Sequence, residues 1–484
     1  MGYYFISIGG SGAKALESLT HLCIAGIMPN RGKLNVLVID PDTGNGNLQR
    51  TSAALENYSA FQNLEIGNDT PLFKTKVSLI KPWNPTDHDK TLDDLMGYQR
   101  CRGLPLGSLY EILYTHKERS TQLNEGFRGH PSIGAAVLAR KYALRDEDST
   151  QWTDFIDKVR QDIGSGGNVK IFLAGSVFGG TGAAGIPTIA RLLRDSLSDY
   201  GQRVSLGGAL ILPYFNFVAP EDQSNLFARS ENFLTNTKAA LKYYSQRDNV
   251  FNFIYFIGDS LIIPLKEFSP GASTQKNDAH LVDFYAALAA LDFFKQPADG
   301  SHEFKYICHR QGNKFSWDDF PALRETSDNG DHEFSFSERF VKFTRFIFAY
   351  IHMIKPVLKS LAEGKKRAYQ YPWFVDFFKG VNISTSEVTN FEIYTESFIT
   401  WLKQLETMPD RDIALIKNSM FTDKPARLVK PEDFNSCDGQ VNPDLTLHEI
   451  WYRLAEPYAI DSSVRGFGKF LRCLYEACNV SNNM

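Results

Sequence analysis

The strand Val169-Lys170-Ile171-Phe172-Leu173-Ala174-Gly175 and the run Gly179-Gly180-Thr181-Gly182-Ala183-Ala184-Gly185 just after it carry most of the information in this chain. A helix opens near Pro187 and continues through Ile189-Ala190-Arg191-Leu192-Leu193. A phosphate is held by several backbone N–H groups that point inward, and side chains block that approach. Glycines remove the obstruction and permit unusual backbone angles. Thr181 adds a hydroxyl, and the helix N-terminus adds partial positive charge. The run lacks the Gly-Lys-Ser/Thr of a Walker loop and is not a GxGxxG dinucleotide fingerprint. Read alone, it is either a phosphate cradle or a flexible glycine turn.

The same order of strand, loop and helix recurs on both sides of it. Tyr3 to Ile8 reads as a buried strand, followed by Gly9-Gly10-Ser11-Gly12 and a helix from Ala13. Leu34 to Ile39 is a second strand that ends in Asp40-Pro41-Asp42. Residues 44 to 100 are turn-rich, with only short helices expected. Gly129-His130-Pro131 forms a further loop, and Trp152 to Ile163 an amphipathic helix. The strand Leu206 to Leu212 ends in Pro213-Tyr214, and Val250 to Ile257 runs toward Asp259. Asp278 to Phe294 is a helix that is apolar on nearly all faces and therefore buried on nearly all faces. Strands that alternate with helices predict an α/β fold with a parallel sheet and helices on both sides. Ligands then bind at the carboxyl ends of the strands, where these glycine loops lie.

After residue 295 the pattern becomes mainly helical, over 337–361, 387–408, 445–455 and 466–478. Before these, Phe304 to Cys308 and Asn313 to Trp317 have the pattern of a short hairpin across Gln311-Gly312. The chain has 484 residues, 52 Lys+Arg and 56 Asp+Glu, a net charge of −4 that argues against a dominant nucleic-acid surface. Hydrophobic residues make up 43%, enough for real cores rather than disorder. The six cysteines form no CxxC or zinc spacing. No signal peptide and no membrane span is expected, so the predicted setting is cytoplasmic, with reduced thiols.

Taken together, the loops resemble those of the tubulin/FtsZ superfamily over roughly residues 1–295. Gly179 to Gly182 is similar to the GGTG core of the tubulin signature loop, with Ala183 at its next position. Gly9, Gly10, Ser11 and Gly12 resemble the opening phosphate loop. Asp40 and Asp42 resemble the acidic element that faces magnesium-bound water, although read alone they equally suit a turn. Gly129-His130 is similar to the loop that senses the γ-phosphate, and Pro213-Tyr214 to the sugar-contacting loop. Asp259 falls where tubulin has a guanine-reading Asn, and Asn277 or Asp278 falls where the second base contact is made. The resemblance implies GTP or GDP as ligand, Mg2+ held by Asp40 and Asp42, and head-to-tail assembly with copies of itself. It divides the chain into a tubulin-like nucleotide-binding domain (1–275), a central helix (276–295) and a helical C-terminal domain (296–484) whose helices are available to a protein partner.

Departures from the family pattern are informative. Lys14 stands where FtsZ has an Asn near the base, and either reaches a phosphate or sits in solvent. Val218 replaces a ribose-contacting Glu, with Glu221 as the nearest substitute. The acids that position the attacking water in this superfamily follow the central helix. Here Asp299 is the first candidate and Glu303 the second, at a different spacing. The alternative Asp278-x-His280-x-x-Asp283 has the right spacing, but only about twenty residues separate it from the preceding strand, too few for a central helix in between. Two other readings stay open: a non-catalytic nucleotide-binding scaffold in a multi-protein system, and an NAD-dependent Rossmann oxidoreductase whose first loop would be Gly9 to Gly12.

Overall fold

The computed structural model describes the chain except residues 29–31, 68–69, 87–89, 124–125, 128, 144–149, 218–229, 246–249, 260–261, 266–274, 298–302, 308–313, 316–321, 328–329, 366–370, 409–411, 414–446, 456–465 and 479–484. Its centre is a sheet of seven parallel strands: β1 (Gly2–Ile8), β2 (Lys33–Ile39), β3 (Lys76–Leu79), β4 (Val169–Ser176), β5 (Val204–Ile211), β6 (Phe253–Ile257) and β7 (Glu303–Ile307). They lie side by side in the order β3-β2-β1-β4-β5-β6-β7. The direction of winding reverses between β1 and β4, which opens a crevice beyond their carboxyl ends. The register brings those ends level: Ile8 pairs with Ile39, Ser7 with Ala174, Ser176 with Ile211, and Ile211 with Ile257.

The central strands are apolar runs because both of their faces are covered. On one face Tyr4, Ile6, Ile171 and Leu173 pack under α4 (Thr150–Gly164) and α5 (Gly180–Ser196), with α3 (Pro131–Ala143) beside α5. On the other, Phe5, Phe172 and Tyr255 meet α1 (Gly9–Ile24), α2 (Gly46–Phe61) and the central helix α7 (Leu281–Lys295). Side chains alternate between the faces, as the two-residue period of a strand requires. Helix α6 (Ser230–Tyr244) precedes β6.

The helix α2 departs from the turn-rich segment expected over residues 44–100. Leu48, Thr51, Ala54, Leu55, Tyr58 and Phe61 recur at helical spacing and are buried, and Asn45 caps the N-terminus through its side chain. The central helix is shorter than the 276–295 expected. Its N-cap is His280, which with Asp283 forms a capping box.

The C-terminal region is mainly helical, with α8 (Phe336–Ala349), α9 (Lys355–Ala362), α10 (Ser386–Glu406), α11 (Leu447–Ala455) and α12 (Phe467–Ala477). The hairpin expected across Gln311-Gly312 is not formed. Residues 303–307 instead join the main sheet beside β6, and Lys314–Phe315 pairs with Asp412–Ile413. The reason is a free sheet edge: β6 offers a full row of partners to the chain as it returns from α7. The antiparallel pair lies further on, between Ala322–Ser327 and Gly330–Ser335. One core runs from the sheet into the C-terminal helices, with Phe61 and Phe73 of the first part against Phe391 of α10.

Helix α1 lies so close to β4 that a Cβ at Gly12 would stand 2.4 Å from the Ala174 carbonyl oxygen. Backbone cannot yield as a side chain does, and overpacking of this kind costs about 1–3 kcal/mol. Gly12→Ala is therefore expected to lower the urea midpoint of unfolding with little change in slope.

Candidate functional site

Two helices begin at the level edge of the sheet. The N-cap of α1 is Ile8 and that of α5 is Gly179, and among the described residues neither helix has a side-chain cap. The first-turn N–H groups of a helix have no intrahelical partner. Here they border one cleft, lined by Gly9, Gly10 and Ser11 on one side and Gly179, Gly180, Thr181 and Gly182 on the other. The loops touch: a Cβ on Gly9 would stand 3.2 Å from Thr181 Cβ, and one on Gly180 would stand 2.9 Å from Gly129 N. Gly126, Phe127 and Gly129 close that side.

Asp40 and Asp42 line the cleft just past β2 and are both buried. The Asp42 N–H donates to Asp40 Oδ1 at 3.1 Å, and the Gly44 N–H to Asp42 Oδ1 at 3.1 Å. Burial, reinforced by the neighbouring Asp42 carboxylate and opposed by that backbone hydrogen bond, pushes the Asp40 carboxyl up to about 8. Among the described residues no ion pair relieves it. Two carboxylates on alternating positions make a hard oxygen donor set of the kind Mg2+ takes.

Lys14, one turn along α1, is neither in solvent nor free for a phosphate. It is buried, and its Nζ lies 2.7 Å from Asp283 Oδ2. Nζ also lies 3.3 Å from the Tyr214 hydroxyl, which in turn donates to Asp283 Oδ1 at 2.9 Å. Burial raises the Tyr214 phenol well above its ordinary value, and Asp283 adds to this, so the proton stays on the oxygen. The His280 ring packs on Tyr214 with centroids 4.6 Å apart. Beside them Phe178, Phe215, Phe217 and Phe233 form an aromatic wall.

The cleft is also lined by a group of amides. Asn45 Nδ2 donates to Gln275 Oε1 at 2.7 Å, and the Asn277 N–H donates to Asn47 Oδ1 at 2.9 Å. Arg50 ties this group to α1: it pairs with buried Glu17 at 2.8 Å and donates from Nη1 to the Asn277 carbonyl at 3.0 Å.

Thirteen of the expected site residues thus line one cleft: Gly9, Gly10, Ser11, Lys14, Asp40, Asp42, Gly129, Gly179, Gly180, Thr181, Gly182, Tyr214 and Asn277. The others are elsewhere. Gly12 and Ala183 lie inside helices, and Pro213 and Asp259 stand at strand ends outside the lining. His130 faces Glu118, with Nδ1 3.3 Å from Oε1, and not the cleft. Asp278 is drawn away by Gln404 of α10, whose Nε2 donates to it at 2.8 Å. Glu303 opens β7 in register with Phe253, at the sheet edge opposite the cleft. Asp299, Val218 and Glu221 lie outside the described residues. Sequence reading passed over Asn45, Asn47 and Gln275. The Asn-Gly-Asn run that opens α2 is the available signal, since Asn is a favoured N-cap. Gln275 carries no local signal.

The Asp40 carboxyl makes stability depend on pH. It holds its proton in the folded chain across a range where the unfolded chain, with an ordinary value near 3.9, has lost it. Stability in metal-free buffer therefore falls as pH rises from about 4 to about 8, by at most about 1.4 kcal/mol per pH unit. Urea unfolding at pH 5 and pH 8 should show this fall, and Asp40→Asn should reduce it.

The family model described as "Tubulin like" matches residues 4–256 of the 484. No curated protein sequence matches. Among solved structures, the chain is similar to CetZ2 from Haloferax volcanii in a GTPγS-bound protofilament, with 14% identity and a TM-score of 0.29. That similarity covers 60% of this chain and 59% of CetZ2. Among the described residues, no helix is long and apolar enough to cross a membrane. With over half its length matched, and its glycine loops gathered at the strand ends of a parallel sheet, the chain belongs to the tubulin-like family.

Proposed function

We propose that this chain binds GTP or GDP with Mg2+ in the strand-end cleft and assembles head to tail with copies of itself. One observation carries the reading: two helix N-termini without side-chain caps converge on a cleft that also presents a carboxylate pair. The amides and dipoles favour the phosphates, and Thr181 adds a hydroxyl. Asp40 and Asp42 would hold the ion, directly or through water. When bound, Mg2+ neutralises phosphate charge.

The central helix supports the self-assembly reading. It starts beside the cleft at Leu281 and runs to Lys295, where the chain turns back into β7 from the opposite edge of the sheet. The candidate acid Glu303 opens β7 there. In a head-to-tail pair this end of one subunit meets the cleft of the next, and contacts that do not close on themselves give filaments. The exposed side chains of Leu104, Leu106, Leu109, Ile112 and Leu113 add an apolar surface suited to protein contact. The scaffold reading keeps the binding and drops the hydrolysis, and the altered spacing of the acids favours it. The oxidoreductase reading leaves the second glycine loop without a role.

Two measurements test this. GTP hydrolysis per subunit, with Mg2+, should rise with protein concentration, as should the fraction sedimented. Nucleotide retention without turnover at any concentration selects the scaffold. Gly180→Ala places a Cβ against Gly129 N and should weaken nucleotide binding by tenfold or more, read by equilibrium fluorescence. Unchanged affinity would remove the nucleotide from this cleft.

A further inference from the structure

A phosphate at a helix N-terminus is met by backbone N–H groups, and such a cradle commonly adds a cationic side chain. Among the described residues that line the cleft, Lys14 is the only lysine or arginine. Its Nζ is bound to Asp283 at 2.7 Å, so it is not available to an anion. The remaining side-chain donors are neutral. Two of them stand beside the start of α1, and both come from the start of α2. A Cβ on Gly10 would lie 3.4 Å from Asn45 Nδ2 and 3.5 Å from Asn47 Nδ2, and all three residues line the cleft.

Hydrogen bonds fix which way each carboxamide points. Asn45 Oδ1 accepts from the Asn47 N–H at 2.9 Å and from the Leu48 N–H at 3.4 Å. Asn47 Oδ1 accepts from the Asn277 N–H at 2.9 Å. A backbone N–H only donates, so each oxygen is held by the protein and each NH2 group is left toward Gly10. Asn45 Nδ2 gives one hydrogen to Gln275 Oε1 at 2.7 Å. Asn47 is only 2% exposed, yet its Nδ2 makes no hydrogen bond among the described residues. Its two hydrogens stay open to a ligand beside the uncapped N-terminus of α1. An NH2 group donates and does not ligate a cation, so it suits a phosphate oxygen and not Mg2+.

We propose that Asn47, held in place by Asn45 and Asn277, is a phosphate-binding residue of this cleft, and that its Nδ2 donates to a phosphate oxygen bound beside Gly10. A neutral carboxamide takes the part that a lysine plays as a point charge in other cradles, because Asp283 withdraws the lysine present here. The inference rests on the nucleotide reading proposed above and adds to that site a residue of α2.

Asn47→Asp separates the two roles of this side chain. It keeps the acceptor for the Asn277 N–H and replaces the donor by a carboxylate oxygen. An acid in the first turn of a helix is favourable, so the fold should persist, as read by circular dichroism. Equilibrium binding of a fluorescent GTP analogue, on the full chain with Mg2+, should weaken tenfold or more. The loss should persist at high salt, because a missing donor is not screened as a charge is. Unchanged affinity overturns the role given to Asn47 and leaves the nucleotide reading standing. A loss that vanishes at high salt comes from charge repulsion alone and overturns it equally. A wild-type chain that binds no nucleotide removes both readings. Asn47→Ser, uncharged and too short to reach, should also weaken binding tenfold or more, and it decides the matter should Asn47→Asp not fold.

Discussion

The close approach of backbone to backbone at the carboxyl edge of the sheet is the constraint on which the rest of this molecule depends. Helix α1 can start at Gly9 and pass over β4 only because Gly12 presents no side chain to Ala174. Helix α5 can start at Gly180 only because nothing projects toward Gly129. Level strand ends then deliver both helix N-termini to one place. Uncapped N–H groups in such a position are costly unless water or an anion meets them. The cleft is the structural expression of that unmet demand.

Charge burial around the cleft follows a consistent logic. Lys14 and Asp283 are both almost fully removed from water, and so are Glu17 and much of Arg50. Removing one member of such a pair leaves an uncompensated charge and typically costs about 3–5 kcal/mol. The pairs therefore act as fixed struts: one joins α1 to the central helix, the other joins α1 to α2. Asp40 is the exception, since it is buried without a cation among the described residues and keeps its proton up to about 8. Lys14, Asp283, Arg50 and Glu17 are paired within the protein, whereas Asp40, with no cation beside it among the described residues, lines the cleft.

The C-terminal helices extend the same core. His21 of α1 meets Tyr394, Phe398 and Trp401 of α10, and its Nδ1 lies 3.2 Å from the Tyr394 hydroxyl. Burial lowers His21 to about 3, so it stays neutral there. Gln404 of the same helix donates from Nε2 to Asp278 at 2.8 Å and accepts from the Ala279 N–H through Oε1 at 3.0 Å. Helix α10 thus braces both α1 and the entry to the central helix, beside the cleft.

Local sequence determined the parallel sheet, the glycine loops at its strand ends and the burial of the central helix, because each is a short-range pattern of apolar periodicity and small residues. Asp40, Asp42, Thr181 and the glycines were legible for the same reason: they lie within a few residues of a strand end. Only the tertiary structure decided the partner of Lys14, the outward pull on Asp278 and the alliance of Asn47 with Asn277. Those contacts join residues more than a hundred positions apart, and no local rule chooses between partners that the chain path alone brings together. The seventh strand belongs to the same class. Residues 303–307 have the composition of a hairpin arm, and what made them part of the sheet was the open edge of β6.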